Sequence, residues 1–187
     1  MKLPRAARLV LTLVVLGAAA WIVISVAGQP ATVVPGRVLP QSGASDGDYG
    51  SATGVVDRVV DGDTVIIDID GEQVRVRMLN IDTPESVTPD QPVECLGPEA
   101  SEFTRAILPE GEEVTLEFDV ERTDQYGRTL AAIITEQGEN VSVELARAGL
   151  ARPVTFGEND RFRPAVDDAV DEARSAQVGL FDPDNGC

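Results

Sequence analysis

From residue 54 onward the apolar positions follow a strand period. Val55, Val56, Val59 and Val60 come first, then Val65, Ile66, Ile67 and Ile69, and then Val74, Val76 and Met78 alternating with Arg75 and Arg77. Asp70 and Gly71, between the second and third runs, read as a tight turn, so the three runs predict a twisted β-meander. A helix is predicted over 98–108, with Pro98 in its first turn, Ala100, Phe103 and Ile107 on one face, and Pro109 as the stop. Residues 114–118 and 129–135 read as two more strands. A short helix over 142–148 ends at Gly149. A last helix over 164–178 sets Ala165, Ala169, Val170, Ala173 and Ala176 along a stripe before Gly179. Five strands interrupted by helix predict an α+β chain built on a small closed five-stranded barrel of the OB type, with about three helices. There is no internal repeat.

The N-terminus is different in kind. Lys2, Arg5 and Arg8 precede an uncharged run, residues 9–28, long enough to span a bilayer as a hydrophobic helix. The same basic flank and apolar run also read as a secretory signal, with Ser25, Val26 and Ala27 as the small residues of a cleavage site. In both readings the basic flank stays inside and the rest faces out. Residues 29–52 mix proline, glycine and serine without period and read as a flexible tether. The expected organisation is therefore a signal peptide or transmembrane anchor at 1–28, a linker at 29–52 and a globular domain at 53–187. The expected location is extracytoplasmic, anchored in the membrane through 9–28 or secreted after cleavage. Export also bears on Cys95 and Cys187, the chain's two cysteines, because an oxidising compartment favours their pairing. The alternative is a buried Cys95 with Cys187 idle on the tail.

Length and charge narrow the chemistry. The chain has 187 residues, with 15 Lys+Arg against 32 Asp+Glu, a formal net charge of -17. Without the three N-terminal basic residues, 12 arginines face all 32 acids, a balance of -20. Such a surface does not capture polyanions by bulk charge. The chain contains no histidine, which excludes histidine general bases and histidine zinc sites. Chemistry must come from carboxylates, arginines, hydroxyls or a bound ion.

Two acidic segments stand at strand ends: Asp61-Gly62-Asp63-Thr64 between the first two strands, and Asp82-Thr83-Pro84-Glu85 after the arginine-bearing strand. Joined by one hairpin, they can converge on an ion. Hard oxygen ligands suit Ca²⁺ or Mg²⁺, and the spacing is not that of an EF-hand. Each segment alone also reads as a simple turn. Arg77 precedes Asp82 by five residues, and a guanidinium beside a carboxylate-bound ion suits a phosphodiester. The plainer reading is a salt bridge on a solvated strand face. Arg122-Thr123-Asp124-Gln125-Tyr126-Gly127-Arg128 offers a second arginine, with Tyr126 as a candidate contact to a sugar or base.

In this order the segments resemble the thermonuclease family, the staphylococcal-nuclease-like Ca²⁺-dependent nucleases. The matching residues are Val60-Asp61-Gly62-Asp63-Thr64, the stretch 77–85, Gly97-Pro98-Glu99-Ala100, Arg122-Thr123-Asp124 with Tyr126-Gly127-Arg128-Thr129-Leu130, and Gly149-Leu150-Ala151. They run from about 54 to 181. The resemblance implies an OB barrel with three helices that hydrolyses DNA and RNA. It implies one Ca²⁺ held by Asp63, Asp82 and the main-chain oxygen of Thr83, a phosphate-binding pair Arg77 and Arg128, and a catalytic carboxylate Glu85. It also implies release of the 5′ oxygen to leave 3′-phosphate ends. Thr155, Phe156 and Gly157 stand where the staphylococcal type carries tyrosines, and Gln125 replaces a lysine, which implies weaker base stacking. The expected partners are DNA and RNA as substrate and the membrane through an uncleaved N-terminus, with no protein partner and a monomeric chain. The runner-up is a surface-anchored OB module that binds nucleic acid, protein or Ca²⁺ without cutting. Loss of an arginine, of Glu85 or of an ion ligand would mark that case, and all six positions are filled.

Overall fold

The structure, a computed structural model, describes residues 49–86 and 93–187. The predicted hydrophobic helix at 9–28 and the tether as far as 48 lie outside them. In chain order the elements are β1 (Ser51–Asp61), β2 (Thr64–Ile69), β3 (Glu72–Met78), β4 (Ile81–Asp82), α1 (Gly97–Ile107), β5 (Glu113–Glu117), β6 (Thr129–Ile134), α2 (Val141–Arg147), β7 (Arg152–Pro153) and α3 (Arg163–Ala176). A 3₁₀ turn, Gly179–Phe181, follows. β1, β2, β3, β6 and β5 form a closed barrel in that order, and β4 pairs with β7 alongside it. This is the five-stranded barrel with three helices that the apolar pattern predicts.

Local chemistry explains the closure. β1 pairs with β2 through its C-terminal half and with β5 through its N-terminal half. Its register slips between Val56 and Arg58 and again between Val59 and Asp61, and such bulges let one long strand bend around a barrel. The β2–β3 hairpin turns at Asp70 (φ 55°) and Gly71 (φ 87°), the double left-handed geometry of a tight hairpin turn. The Gly71 N–H donates to Asp68 Oδ1 at 2.8 Å, which fixes the turn. The ring closes where β3 runs parallel to β6, with Arg77 opposite Leu130. Val65, Ile67, Val76, Met78, Leu116 and Ile133 fill the barrel and are continuous with Leu145, Val166 and Val170 from the helices. The burial of these side chains drives the fold.

Two boundaries differ from the sequence expectation. β1 starts at Ser51, inside the segment read as tether, because Ser51 and Ala52 pair with Glu117 and Leu116 of β5. On α3 the buried stripe is Val166, Ala169, Val170 and Ala173, while Ala165 and Ala176 are exposed. The larger Val166 sets the helix phase against α2, one residue on from the predicted alanine. The helix ends otherwise fall as expected: α1 carries proline in its first turn, and the Asn140 side chain caps α2 by accepting from the Ser142 N–H at 3.0 Å.

Cys95, just before α1, is exposed and bonded to Cys187, with 5.7 Å between their Cα atoms. The bridge spans 92 residues, a loop for which chain-entropy arguments give about 4–5 kcal/mol of stabilisation.

The turn between β1 and β2 is packed tightly. A Cβ on Gly62 would lie 2.6 Å from Thr83 Oγ1 and 2.9 Å from the Ala100 Cβ. Either the Thr83 segment or α1 must move to admit a methyl group. Gly62→Ala should therefore lose roughly 1–3 kcal/mol in urea denaturation; an unchanged midpoint would refute the close approach.

Candidate active site

The first cluster is built where two hairpin ends meet. Gly62 and Asp63 are the two-residue turn between the paired ends Asp61 and Thr64, and Thr64 pairs in turn with Arg77 on β3. The Met78 N–H donates to the Asp63 main-chain oxygen at 2.9 Å, locking the turn against β3. β3 then gives way to β4, and the chain passes through Asp82, Thr83, Pro84 and Glu85 beside the same turn. The Thr83 N–H and hydroxyl both donate to Asp63 Oδ2, each at 3.0 Å. From α1, the Thr104 hydroxyl donates to the Gly62 main-chain oxygen at 2.6 Å. The turn is thus held from three sides.

Arg77 lies across this corner. Its side chain is 5% exposed, with Nη1 2.8 Å from Asp63 Oδ2 and Nη2 2.7 Å from Asp82 Oδ1. Nη1 also donates to the Ile81 carbonyl at 3.0 Å. The solvated salt bridge that alternation allowed is therefore corrected: Arg75 is exposed, but Arg77 is buried. Its cover is Phe156, whose ring centroid is 5.1 Å from the guanidinium carbon.

Around this one guanidinium stand four carboxylates, from Asp61, Asp63, Asp82 and Glu85. Burial, with the charges of Asp63 and Glu85, pushes the Asp61 carboxyl up to about 6, against a hydrogen bond from the Gly62 N–H and the charge of Arg77. Asp82 is raised too. Desolvation is the largest cause, opposed by Arg77 and reinforced by Asp63, Glu85 and Glu94. The Asp82 side chain is 65% exposed, so water screens much of this. Asp61 Oδ1 is buried without a hydrogen-bond partner in the protein. An orphaned carboxylate oxygen, in a cluster with more negative than positive charge, fits a hard divalent cation. Among the described residues, no three acidic side chains are gathered closely enough to hold an ion in the positions they occupy here. Arg77 supplies the positive charge between Asp63 and Asp82.

A second cluster adjoins the first through Phe156. Arg128 Nε donates to Asp124 Oδ2 at 2.7 Å, and the Asp124 carboxylate also accepts from the N–H groups of Tyr126 and Arg128, both at 2.9 Å. Desolvation is the largest single influence on the Asp124 carboxyl, but these bonds and the Arg128 charge together outweigh it and lower its pKa. Tyr126 is 75% exposed, and its ring lies 5.5 Å from the Arg128 guanidinium carbon. A cavity of about 240 Å³ opens here, with Tyr126, Arg128, Phe156 and Glu121 among its lining. The structure thus brings Asp63, Asp82, Thr83 and Arg77 into direct contact. It sets Glu85 within electrostatic reach of them, and it places Arg128 and Tyr126 around the neighbouring cavity.

The family model for staphylococcal nuclease homologues matches residues 75–182. The thermonuclease of Staphylococcus intermedius is 44% identical over 128 residues, 68% of this chain and 75% of that protein. The thermonuclease of Staphylococcus hyicus is 40% identical, over 66% of this chain and 72% of its own length. The chain belongs to the staphylococcal nuclease family. It is a nuclease, a phosphodiester hydrolase. A third relative, endonuclease YhcR of Bacillus subtilis (strain 168), is 34% identical over 155 residues, which make up 13% of its length.

Sequence reasoning passed over three parts of this nuclease's site. Asp61 has no place in the ligand set that the resemblance implies, yet as the last β1 residue, next to a register slip, it is buried. Asn80 has a left-handed backbone (φ 63°), and its side-chain amide donates to the Asn159 carbonyl at 2.7 Å. Asn159 then accepts from the Glu121 N–H at 2.7 Å. Together they tie the Phe156 segment to the β3–β4 turn. The only signal was an asparagine amid apolar Met78, Leu79 and Ile81. Asp124, which orients Arg128, lay in a matched motif but without a role.

A pH effect follows for the cation-free nuclease. The Asp61 pKa is higher in the fold than in the unfolded chain, so neutral Asp61 favours folding. That contribution is complete below the ordinary value of 3.8 and is lost as pH rises through about 6. In chelator at pH 7.5, Asp61→Asn should raise the stability by up to about 3 kcal/mol, and the Tm by several degrees. Near pH 3.5 the two proteins should melt together. Calorimetry showing the same difference at both pH values would refute the assignment.

Proposed function

We propose that this protein is a Ca²⁺-dependent nuclease that hydrolyses DNA and RNA and leaves 3′-phosphate ends. One observation carries the reading: a buried arginine between Asp63 and Asp82, beside the unpartnered Asp61 Oδ1 and the acid Glu85. The donor set is all oxygen, which suits Ca²⁺ and disfavours zinc or copper. Asp63, Asp82 and the Thr83 main-chain oxygen are the proposed ligands. When bound, the ion would supply Lewis-acid polarisation of a phosphate oxygen and of a water.

The chain's own residues account for the rest. Arg77 and Arg128 present planar forks that match two non-bridging phosphate oxygens, and they stabilise the charge that grows there during displacement. Arg77 is preorganised by its carbonyl and carboxylate contacts, and Arg128 by Asp124. Glu85 takes a proton from the attacking water as its oxygen bonds to phosphorus. The 5′ oxygen leaves and takes up a proton, giving a 5′-hydroxyl and a 3′-phosphate. Tyr126 and Phe156 offer apolar surface to the adjacent sugar or base.

We also infer that the nuclease works outside the cytoplasm, anchored or secreted. Support comes from the Cys95–Cys187 bond and from the basic-flanked run at 9–28.

With saturating Ca²⁺ and single-stranded DNA as substrate, Glu85→Gln should lower kcat by about 10²-fold or more. Excess chelator should abolish turnover by the wild type, and end-labelling should find 3′-phosphates. Near-full turnover by Glu85→Gln, or undiminished activity in chelator, would overturn the mechanism.

A further inference from the structure

Glu85 is gripped by the segment that leads into α1. Its main-chain oxygen accepts from the Glu94 N–H at 2.9 Å, and its N–H donates to Glu94 Oε2 at 3.2 Å. One residue therefore holds both sides of the Glu85 backbone. The Glu94 carbonyl accepts in turn from the Gly97 N–H at 3.0 Å, and Leu96 turns through a left-handed φ of 67°. A Cβ on Gly97 would lie 2.4 Å from the Glu85 oxygen, so the start of α1 is pressed directly against Glu85. On its other side, Glu85 follows β4, which is only two residues long. The 94–97 segment thus braces the Glu85 backbone.

Cys95 lies inside that brace, and its bond to Cys187 ties it to the end of the chain. The end is itself fastened. The Cys187 N–H donates to Asn185 Oδ1 at 2.8 Å, the Asn185 amide donates to the Gly179 carbonyl, and the Leu180 N–H donates to the Gly149 carbonyl at 2.8 Å. A path of hydrogen bonds, backbone and the disulfide therefore runs from the turn after α2, through the C-terminal residues, to the residue that clasps Glu85.

We propose that the Cys95–Cys187 disulfide and Glu94 form a positioning device for Glu85, so that the nuclease reaches its full rate only when the disulfide is closed. This rests on Glu85 being the proton acceptor. Glu94 touches the Glu85 backbone and acts through it. A general base must stand within hydrogen-bond reach of its proton, and a misplacement of about 1 Å can cost on the order of 10²-fold in rate. Reduction by a dithiol passes two electrons and two protons to the Cys95 and Cys187 sulfurs, breaks their bond and leaves the dithiol as its cyclic disulfide. Cys95 is exposed and open to that exchange. Without the bond, the brace keeps its hydrogen bonds but loses its covalent anchor. Phosphate capture by Arg77 and Arg128 does not depend on that anchor, so the loss falls on kcat rather than KM.

The test compares full-chain forms on single-stranded DNA with saturating Ca²⁺, at a temperature where circular dichroism shows each of them folded. The forms are oxidised wild type, wild type reduced with dithiothreitol and capped with iodoacetamide, C95S/C187S, E94A, E94Q and E85Q. The reduced protein and C95S/C187S should show kcat roughly 10-fold lower with KM within about 2-fold. E94A should show a like loss in the oxidised protein. E94Q, whose amide oxygen still accepts from the Glu85 N–H, should retain most of the rate. If reduction lowers only the Tm, or changes only KM, while E85Q is inactive, the disulfide is a stabiliser and the positioning proposal is overturned. If E94A keeps wild-type kcat, the clasp is overturned on its own. If E85Q matches the wild type, the reading of Glu85 fails and this inference fails with it.

Discussion

Arg77 is a full positive charge set where water barely reaches, and much of the site's architecture serves to satisfy it. A guanidinium buried alone would be prohibitive, and removing one partner of such a pair typically costs about 3–5 kcal/mol. Asp63 and Asp82 answer the charge, and the Ile81 carbonyl takes a further N–H. Asp63 comes from the β1–β2 turn, and Ile81 and Asp82 make up β4, which β7 holds alongside the barrel. The requirement runs both ways. Burial first, and then the charges of neighbouring carboxylates, raise Asp61 and Asp82, and Arg77 is the charge that lets these acids stand together.

Barrel closure supplies the precision this arrangement needs. β3 is held on one side by β2 and on the other by β6, so Arg77 projects from a strand with no free edge at that position. The connection that follows is irregular, yet it is tied at Asn80 to Asn159 and at Thr83 to Asp63. Through Asn159 the same network fixes Glu121 and the segment bearing Phe156, which covers Arg77 and lines the cavity beside Arg128. The two arginines stand in separate clusters, Arg77 with Asp63 and Asp82 and Arg128 with Asp124, and share an aromatic wall. A substrate phosphate entering there would meet positive groups already oriented, so little reorganisation is left to the reaction.

What was legible in the sequence follows the reach of local rules. Alternating Val74, Val76 and Met78 marked β3, Asp70-Gly71 marked its hairpin, and Pro98 and Gly149 marked helix ends, because each acts through near neighbours. The start of β1 was not legible, since Ser51 is a strand residue only by virtue of Glu117 across the barrel. β4 and β7 are too short to show any period. Arg75 and Arg77 carry the same alternation signal, and Arg77 is interior because the β1–β2 turn, β4 and Phe156 from after β7 all close around it. The two acidic segments stand out as turns at strand ends, whereas the choice of Asp63 and Asp82 within them rests on the family resemblance. Asp61 reads as the last residue of a strand, and the burial of its oxygen shows only once the register slip before it is known.

The net charge of -17 and a nucleic-acid substrate are compatible because the two act over different distances. Charges spread over the exposed surface are screened within about 8–10 Å at ordinary ionic strength, so they oppose the approach of a polyanion without reaching into the pocket. Inside it, low exposure would strengthen each contact, and Arg77 would act on a phosphate oxygen with little water between them. A divalent ion on Asp63 and Asp82 would offset most of the cluster's excess negative charge and free Arg77 from its part in balancing the carboxylates. Cation binding and phosphate binding would then be coupled through one guanidinium, and the acidity of the site becomes a condition of its activity rather than an obstacle to it.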